Sequence, residues 1–293
     1  MLYEFGVIIV RGVAIGSLFA IIAMSFNIVH NATRILNFAQ GNIFILGGFA
    51  VYFLAQNSGL LHWGLMAIVA GFIIAGFSAA QGWLTLWPLR EDSASQDSWM
   101  ISTVSVSVII AAVLMLVYGP FAYAVRDPLP KINLFGVTTP GAFFAAILAM
   151  FVCYGFLQWF LKKTLSGLAI SALSQDYEAA RAAGLNVKRL QLTAFAISGL
   201  IVGISGFVLA PIVSVSPDAG LRYVMNGFIA AVVGGIGNNT GALIGGPLIG
   251  VMAMLTAYQI GGAYQDLGSL IILVAILMFW PQGLFGKATA RRV

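Results

Sequence analysis

Charge is scarce in this sequence: of 293 residues only 8% are Asp, Glu, Lys or Arg, where a soluble domain carries about a quarter. Too few polar side chains exist to clothe a water-facing surface, so a soluble fold is excluded. Histidine is limited to His30 and His62, each near an expected membrane face and without a His or carboxylate partner at helical spacing. No metal site is therefore expected. The one cysteine, Cys153, lies in an apolar run between Phe151 and Tyr154, cannot form an internal disulfide, and reads as a small packed hydrophobe. Phosphate-binding and nucleophile motifs are missing as well. There is no GxSxG elbow, and Gly286-Lys287 is followed by Ala288 and preceded by no Walker spacing. No catalytic residue and no cofactor are expected. The start, Met1-Leu2-Tyr3-Glu4, lacks a basic region and no small-residue cleavage site follows, so the first apolar stretch reads as an uncleaved span.

What the chain has in plenty is apolar length, at 60% hydrophobic residues. Runs bounded by charge, proline or polar clusters fall near residues 6–29, 40–56, 64–87, 99–120, 141–161, 192–213, 224–237, 241–259 and 266–283. The expected fold is all-α and polytopic, one transmembrane domain over 1–293 with eight or nine membrane helices. The seventh run is only fourteen residues long, too short for a full crossing at ~1.5 Å per residue, and reads as a half-helix or a re-entrant segment.

Lys and Arg outnumber Asp and Glu by 14 to 9, which in a membrane chain reports topology rather than nucleic-acid binding. Arg34, Arg90, Lys162, Lys163, Arg181, Lys188, Arg189, Lys287, Arg291 and Arg292 fall on one side of the expected spans. Arg126, Lys131 and Arg222 fall on the other, and Arg11 can snorkel near the outer end of the first span. Retention of Lys and Arg inside makes the C-terminus cytoplasmic.

The longest polar interruption, about 162–191, carries a short helix. Ser174 is the expected N-cap, Asp176 and Glu178 lie in a first turn that favours negative charge, alanines propagate the helix, and Gly184 ends it. The outer loop 121–140, rich in proline and turn residues, reads as an ordered connection.

Two glycine and amide breaks interrupt the spans. In Gly234-Gly235-Ile236-Gly237-Asn238-Asn239-Thr240-Gly241 the spacing does not fit a dinucleotide loop. Two readings stand together: close helix packing through Gly237, Gly241 and Gly245, or an unwound segment near the membrane middle whose freed backbone faces a translocation path. The other break, Asn31-Ala32-Thr33-Arg34-Ile35-Leu36-Asn37-Phe38-Ala39-Gln40-Gly41-Asn42, reads first as an inner turn with interfacial amides, its Asn37, Gln40 and Asn42 entering the second span beside Gly41, and the pairing of the two breaks hints at an internal repeat.

The segment Asn37–Gly41, the inner loop ending Ala183-Gly184-Leu185-Asn186, the glycine cluster through Gly246 and the terminal Trp280-Pro281-Gln282-Gly283-Leu284-Phe285-Gly286 resemble the branched-chain amino acid ABC importer permeases of the LivH type. The resemblance covers nearly the whole chain. It implies a non-catalytic permease subunit in a bacterial inner membrane. The implied partners are a LivM-like second permease, two cytoplasmic LivG/LivF-like ABC ATPases and a periplasmic solute-binding protein. The inner-loop helix is then the coupling helix, with Asp176, Glu178, Ala179, Ala180, Arg181 and Gly184 meeting the ATPase. Asn37, Gln40, Gly41, Gly235, Gly237 and Asn238 are expected to line or shape the path. Where the family commonly has His this chain has Gln40, a neutral amide in place of a titratable ring, and Leu168 and Ser171 stand where it often has Arg. Urea, short amides or aromatic acids are the alternative solutes, and an ATP-independent channel or carrier is the alternative class. An intramembrane enzyme is disfavoured, because no polar reactive cluster lies in the spans.

Overall fold

The computed structural model describes residues 2–54, 60–86, 95–134, 137–213 and 215–286. Arg90, Lys287, Arg291 and Arg292 lie outside the described residues. Eleven α-helices are found among them: α1 Leu2–Thr33, α2 Gln40–Leu54, α3 Leu60–Leu86, α4 Ser95–Tyr118, α5 Ala142–Lys163, α6 Leu165–Gln175, α7 Tyr177–Ala182, α8 Val187–Leu209, α9 Ala219–Gly234, α10 Asn239–Gln259 and α11 Gln265–Phe279. A hairpin of β1 Ile132–Leu134 and β2 Val137–Thr139 occupies the α4–α5 connection.

Each expected apolar run is helical over most of its described residues, and seven helical segments are long and apolar enough to cross a membrane. The two that are not, α2 and α9, have 15 and 16 residues, or about 22–24 Å of rise against a ~30 Å hydrocarbon core. Each is reached through a non-helical stretch, 34–39 for α2 and the described residues 210–213 and 215–218 for α9. α1 delivers the chain to one end of the bundle and α2 leaves it for the end where α3 begins. α8 and α9 do the reverse, so linker and short helix together complete a crossing and neither element re-enters.

The core explains which helices are inside. α1 and α8 are the most buried long helices, and α4, α5 and α11 expose most of their apolar surface. Glycines set the distances between the central helices. A Cβ on Gly16 would lie 2.5 Å from the Gly246 carbonyl oxygen, and one on Gly250 would lie 2.3 Å from Gly16, so α1 and α10 touch backbone to backbone. Such close approach is how small residues drive helix association where lipid supplies no hydrophobic gain. α3 packs on α8 similarly, through Gly199 against Ser78 and Gly203 against Ile74.

These pairings reveal an order in the fold. α1 runs along α10 and α8 along α3, while α2 packs on α8 and α9 on α1. Exchanging α1–α2–α3 with α8–α9–α10 maps each set of neighbours onto the other, with chain direction inverted. The packing relates the stretch before α2 to the one before α9, whereas the glycine cluster, between α9 and α10, is not the counterpart of the break before α2.

The described basic residues Arg34, Lys162, Lys163, Arg181, Lys188 and Arg189 gather at the end holding α6 and α7, here called the basic end. The hairpin and the turn before α9 lie at the other. There, Asp127 accepts from the N–H groups of Leu129 (2.9 Å) and Ala142 (3.1 Å), capping α5 from fifteen residues upstream.

Candidate functional site: a basic-end platform and a buried polar junction

At the basic end the chain differs from expectation in one respect. The 162–191 interruption holds two helices, not one. Ser174 does not cap: it lies in the last turn of α6, its hydroxyl donating to the Ser171 carbonyl at 2.8 Å. Asp176 is the break. Its extended backbone (φ −144°, ψ 107°) ends α6 with its N–H on Ala172 O, while its carboxylate accepts from Ala179 N–H and starts α7. One residue thus serves as C-cap and N-cap. Glu178 in the first turn and Arg181 in the last suit the helix dipole. Gly184, at φ +82°, closes α7: Leu185 N–H reaches Ala180 O at 3.2 Å and Gly184 N–H reaches Arg181 O at 3.0 Å. This double bond pattern is a Schellman cap, which needs a left-handed residue and so glycine.

α7 sits on a small apolar base in which Ala180 packs with Leu173 and Val187. Ala180 therefore anchors the helix, whereas Glu178, Ala179, Arg181 and Gly184 are exposed and form the presented surface. The base is joined to the bundle by Arg34, which adopts a left-handed backbone (φ +61°) just past α1 and donates to the Ser174 carbonyl.

Deeper in the bundle, the start of α2 is wrapped in polar contacts. Asn37 and Gln81 exchange amide hydrogen bonds of 3.0 and 3.2 Å, and Asn37 also accepts from Ala39 N–H. Gln40 Nε2 donates to Ser198 Oγ at 2.5 Å, and that hydroxyl donates to Ser25 O at 3.2 Å. Asn42 Nδ2 donates to both the carbonyl and the hydroxyl of Ser107. Asn37, Gln40 and Asn42 are all buried, yet Gln40 Oε1 and Asn42 Oδ1 have no hydrogen-bond partner among the described residues. Unpartnered buried carbonyls are costly and rare.

Here α2 and α9 meet at their N-termini. Gly41 lies against Gly220 and Val224, and a Cβ on Gly220 would stand 1.7 Å from Asn42 Oδ1. The two short helices thus diverge from one junction toward opposite ends.

The second glycine break does not join that junction and is not unwound within the membrane middle. Gly235 (φ +97°) and Gly237 (φ +85°) form the tight turn between α9 and α10 at the basic end. Its backbone is engaged: Gly237 N–H donates to Asn27 Oδ1 at 2.8 Å and Gly237 O accepts from Asn31 Nδ2 at 3.3 Å. Asn238 caps α10 by accepting from Thr240 and Gly241 N–H groups, and donates to Phe285 O at 2.9 Å. Leu284 and Phe285 N–H groups bond Val233 O and Gly234 O, so the segment after α11 is laced under the turn. The packing reading of the glycines holds at Gly241 against Gly234 and Gly245 against Ala230.

With this geometry described, comparison with known proteins decides the family. The branched-chain amino acid transport system / permease component family matches residues 8–279. The chain belongs to that family. It is 28% identical over 304 aligned residues to the high-affinity branched-chain amino acid transport system permease protein LivH of Salmonella typhimurium, covering 97% of this chain and 96% of that one. It is 26% identical to the corresponding permease protein BraD of Pseudomonas aeruginosa, covering 97% of each. Among solved structures, PsaBC from Streptococcus pneumoniae in complex with Fab superposes with a TM-score of 0.51 at 12% identity, over 97% of this chain and 98% of that one, a likeness of fold.

The residues not singled out from the sequence are the partners inside the spans: Ser25, Asn27, Gln81, Ser107 and Ser198. Each is an uncharged polar residue within a largely apolar run, which is the signal that could have found them.

Proposed function

We propose that the chain is a membrane-spanning subunit of an ATP-driven importer of branched-chain or similar hydrophobic amino acids in a bacterial inner membrane. The basic end and the C-terminus face the cytoplasm. The partners are a LivM-like second permease, two LivG/LivF-like ATPases and a periplasmic solute-binding protein. The chain supplies the path and no chemistry. The observation that carries this reading is α7: a short, capped helix on its own apolar base, presenting Glu178, Ala179 and Arg181 at the end where the basic residues gather.

In this reading the ATPases grip α7 from Asp176 to Gly184, with Ala180 holding it to its base. Asn37, Gln40 and Gly41 shape the path by holding the start of α2. Gly235, Gly237 and Asn238 shape it from below by holding the α9–α10 turn. In this reading a polar solute meets the free oxygens of Gln40 and Asn42, which accept but do not donate, when α9 moves off α2 and uncovers them. An ammonium group is the matching donor on an amino acid.

The test is reconstitution with the partner ATPases and binding protein. Gly184→Pro and Glu178→Arg are expected to abolish ATP-dependent leucine uptake while the chain inserts normally and ATP hydrolysis continues. Undiminished uptake by both variants overturns the coupling role. Leucine uptake by the purified chain alone, without ATP, overturns the importer reading in favour of a carrier.

A further inference from the structure

Between α2, α3 and α4 lies a cavity of about 370 Å³ that the transport reading does not use. Its floor is Ile74, Ile110 and Leu114, all buried, and its mouth is formed by the exposed Ile73, Phe77 and Val113. Every lining residue is apolar. Water or a polar solute would find no partner there, and an apolar cavity of this kind either stays dry or takes hydrocarbon. The mouth opens sideways, on the exposed apolar faces of α3 and α4, so what lies against it is the bilayer.

The depth of the cavity is marked by an aromatic cluster above it. Phe49 stacks on Tyr118 at 4.9 Å between centroids, Tyr52 meets Tyr123 at 5.0 Å, and Phe53 meets Tyr118 at 5.1 Å. Tyr-rich clusters at the ends of spans sit at headgroup level. The α4 residues lining the cavity precede Tyr118 by four to nine positions, or about 6–14 Å of helix. That range falls within one leaflet of a ~30 Å hydrocarbon core. The volume equals roughly a dozen methylene groups, taking ~30 Å³ for a group about the size of water.

We infer that this cavity is a binding site for one acyl chain of a phospholipid in the leaflet away from the basic end, its glycerol held near Tyr118 and its tail inserted between α3 and α4 against α2. The inference rests on the membrane-spanning fold and not on the identity of the transported solute. The bound chain completes the packing of the outer half of α2, whose inner end forms the polar junction.

The test is photolabelling of the transporter in nanodiscs with phosphatidylethanolamine carrying a diazirine on one acyl chain, followed by peptide mapping. Ile73 and Ile109 are 63% and 60% exposed, and Ile271 and Val274 on α11 are 66% and 57% exposed, so accessibility alone predicts equal labelling of the two regions. A binding site is expected to make adducts at 73–77 and 109–114 several-fold more abundant than on α11. Ala50→Phe or Val113→Phe, each filling the cavity, should bring that excess down to the α11 level with α11 labelling unchanged. Equal labelling in the unmodified chain overturns the proposal. So does absence of label together with disulfide capture, under a mild oxidant, between Val113→Cys and a cysteine placed in the facing helix of the second permease, which would put a protein helix in the groove.

Discussion

Asn27, buried in α1, accepts the backbone N–H of Gly237 at 2.8 Å, 210 residues away in sequence. One turn further along α1, Asn31 donates to the carbonyl of the same glycine. The turn between α9 and α10 is thus held by two amides of the first helix.

Replacing Asn27 by Leu leaves the Gly237 N–H without an acceptor. An unsatisfied buried donor costs about 1–3 kcal/mol. The expected outcome is a lower unfolding temperature of the detergent-purified chain, read by tryptophan fluorescence, and a loss of uptake. Asn31→Leu should cost less, because its 3.3 Å bond is the longer of the two.

Gly220→Ala places a methyl into Asn42 Oδ1. Overpacking of a filled core typically costs about 1–3 kcal/mol. Asn42→Ala combined with Gly220→Ala should recover part of that loss by making room, whereas Gly76→Ala, whose Cβ meets nothing within 4 Å, should be neutral. Equal effects of Gly220→Ala and Gly76→Ala in a thermal-unfolding comparison would contradict the junction.

Asp176→Ala removes the carboxylate that starts α7, and loss of such a cap costs about 0.5–2 kcal/mol locally. Because α7 has only six residues, the expected result is faster hydrogen exchange over 177–184 with the transmembrane helices unaffected. Asp176→Asn, which retains a capping oxygen, should restore most of the protection.

Arg222 and Asp266 pair at 3.1 Å between α9 and α11, each about half exposed. Exposed pairs contribute about 0–1 kcal/mol and are screened by salt. A double-mutant cycle with Arg222→Gln and Asp266→Asn should give a small coupling that shrinks at high ionic strength. A large, salt-insensitive coupling would mean that the pair is buried in the assembled transporter.

Much of the architecture was legible because a bilayer imposes length and hydropathy on each crossing, and no soluble alternative competes for those runs. The α6–α7 boundary was not. Ser174 and Asp176 are both good capping residues, and only the extended backbone at Asp176 and the Ser174 hydroxyl turned onto Ser171 decide between them. For the glycine cluster, composition allows either an unwound strand or a turn. The choice was made by Asn27 and Asn31, too far away in sequence for any local pattern to reveal. The junction at Gln40 was half legible: the amides could be seen, but their partners Ser198 and Gln81 come from other helices.

The single carboxylate of Asp176 and the side chain of Arg34 also bear on how force travels. α7 meets α6 at that one residue, while α6 is tied to the corner after α1 by the Arg34 guanidinium on the Ser174 carbonyl and also packs on α1, α5 and α8. α1 in turn grips the Gly237 turn. A load applied to α7 therefore reaches the bundle by several routes at once, through α6 onto α1 and α5 and through the Val187 base onto α8, so loosening one joint softens the linkage without severing it.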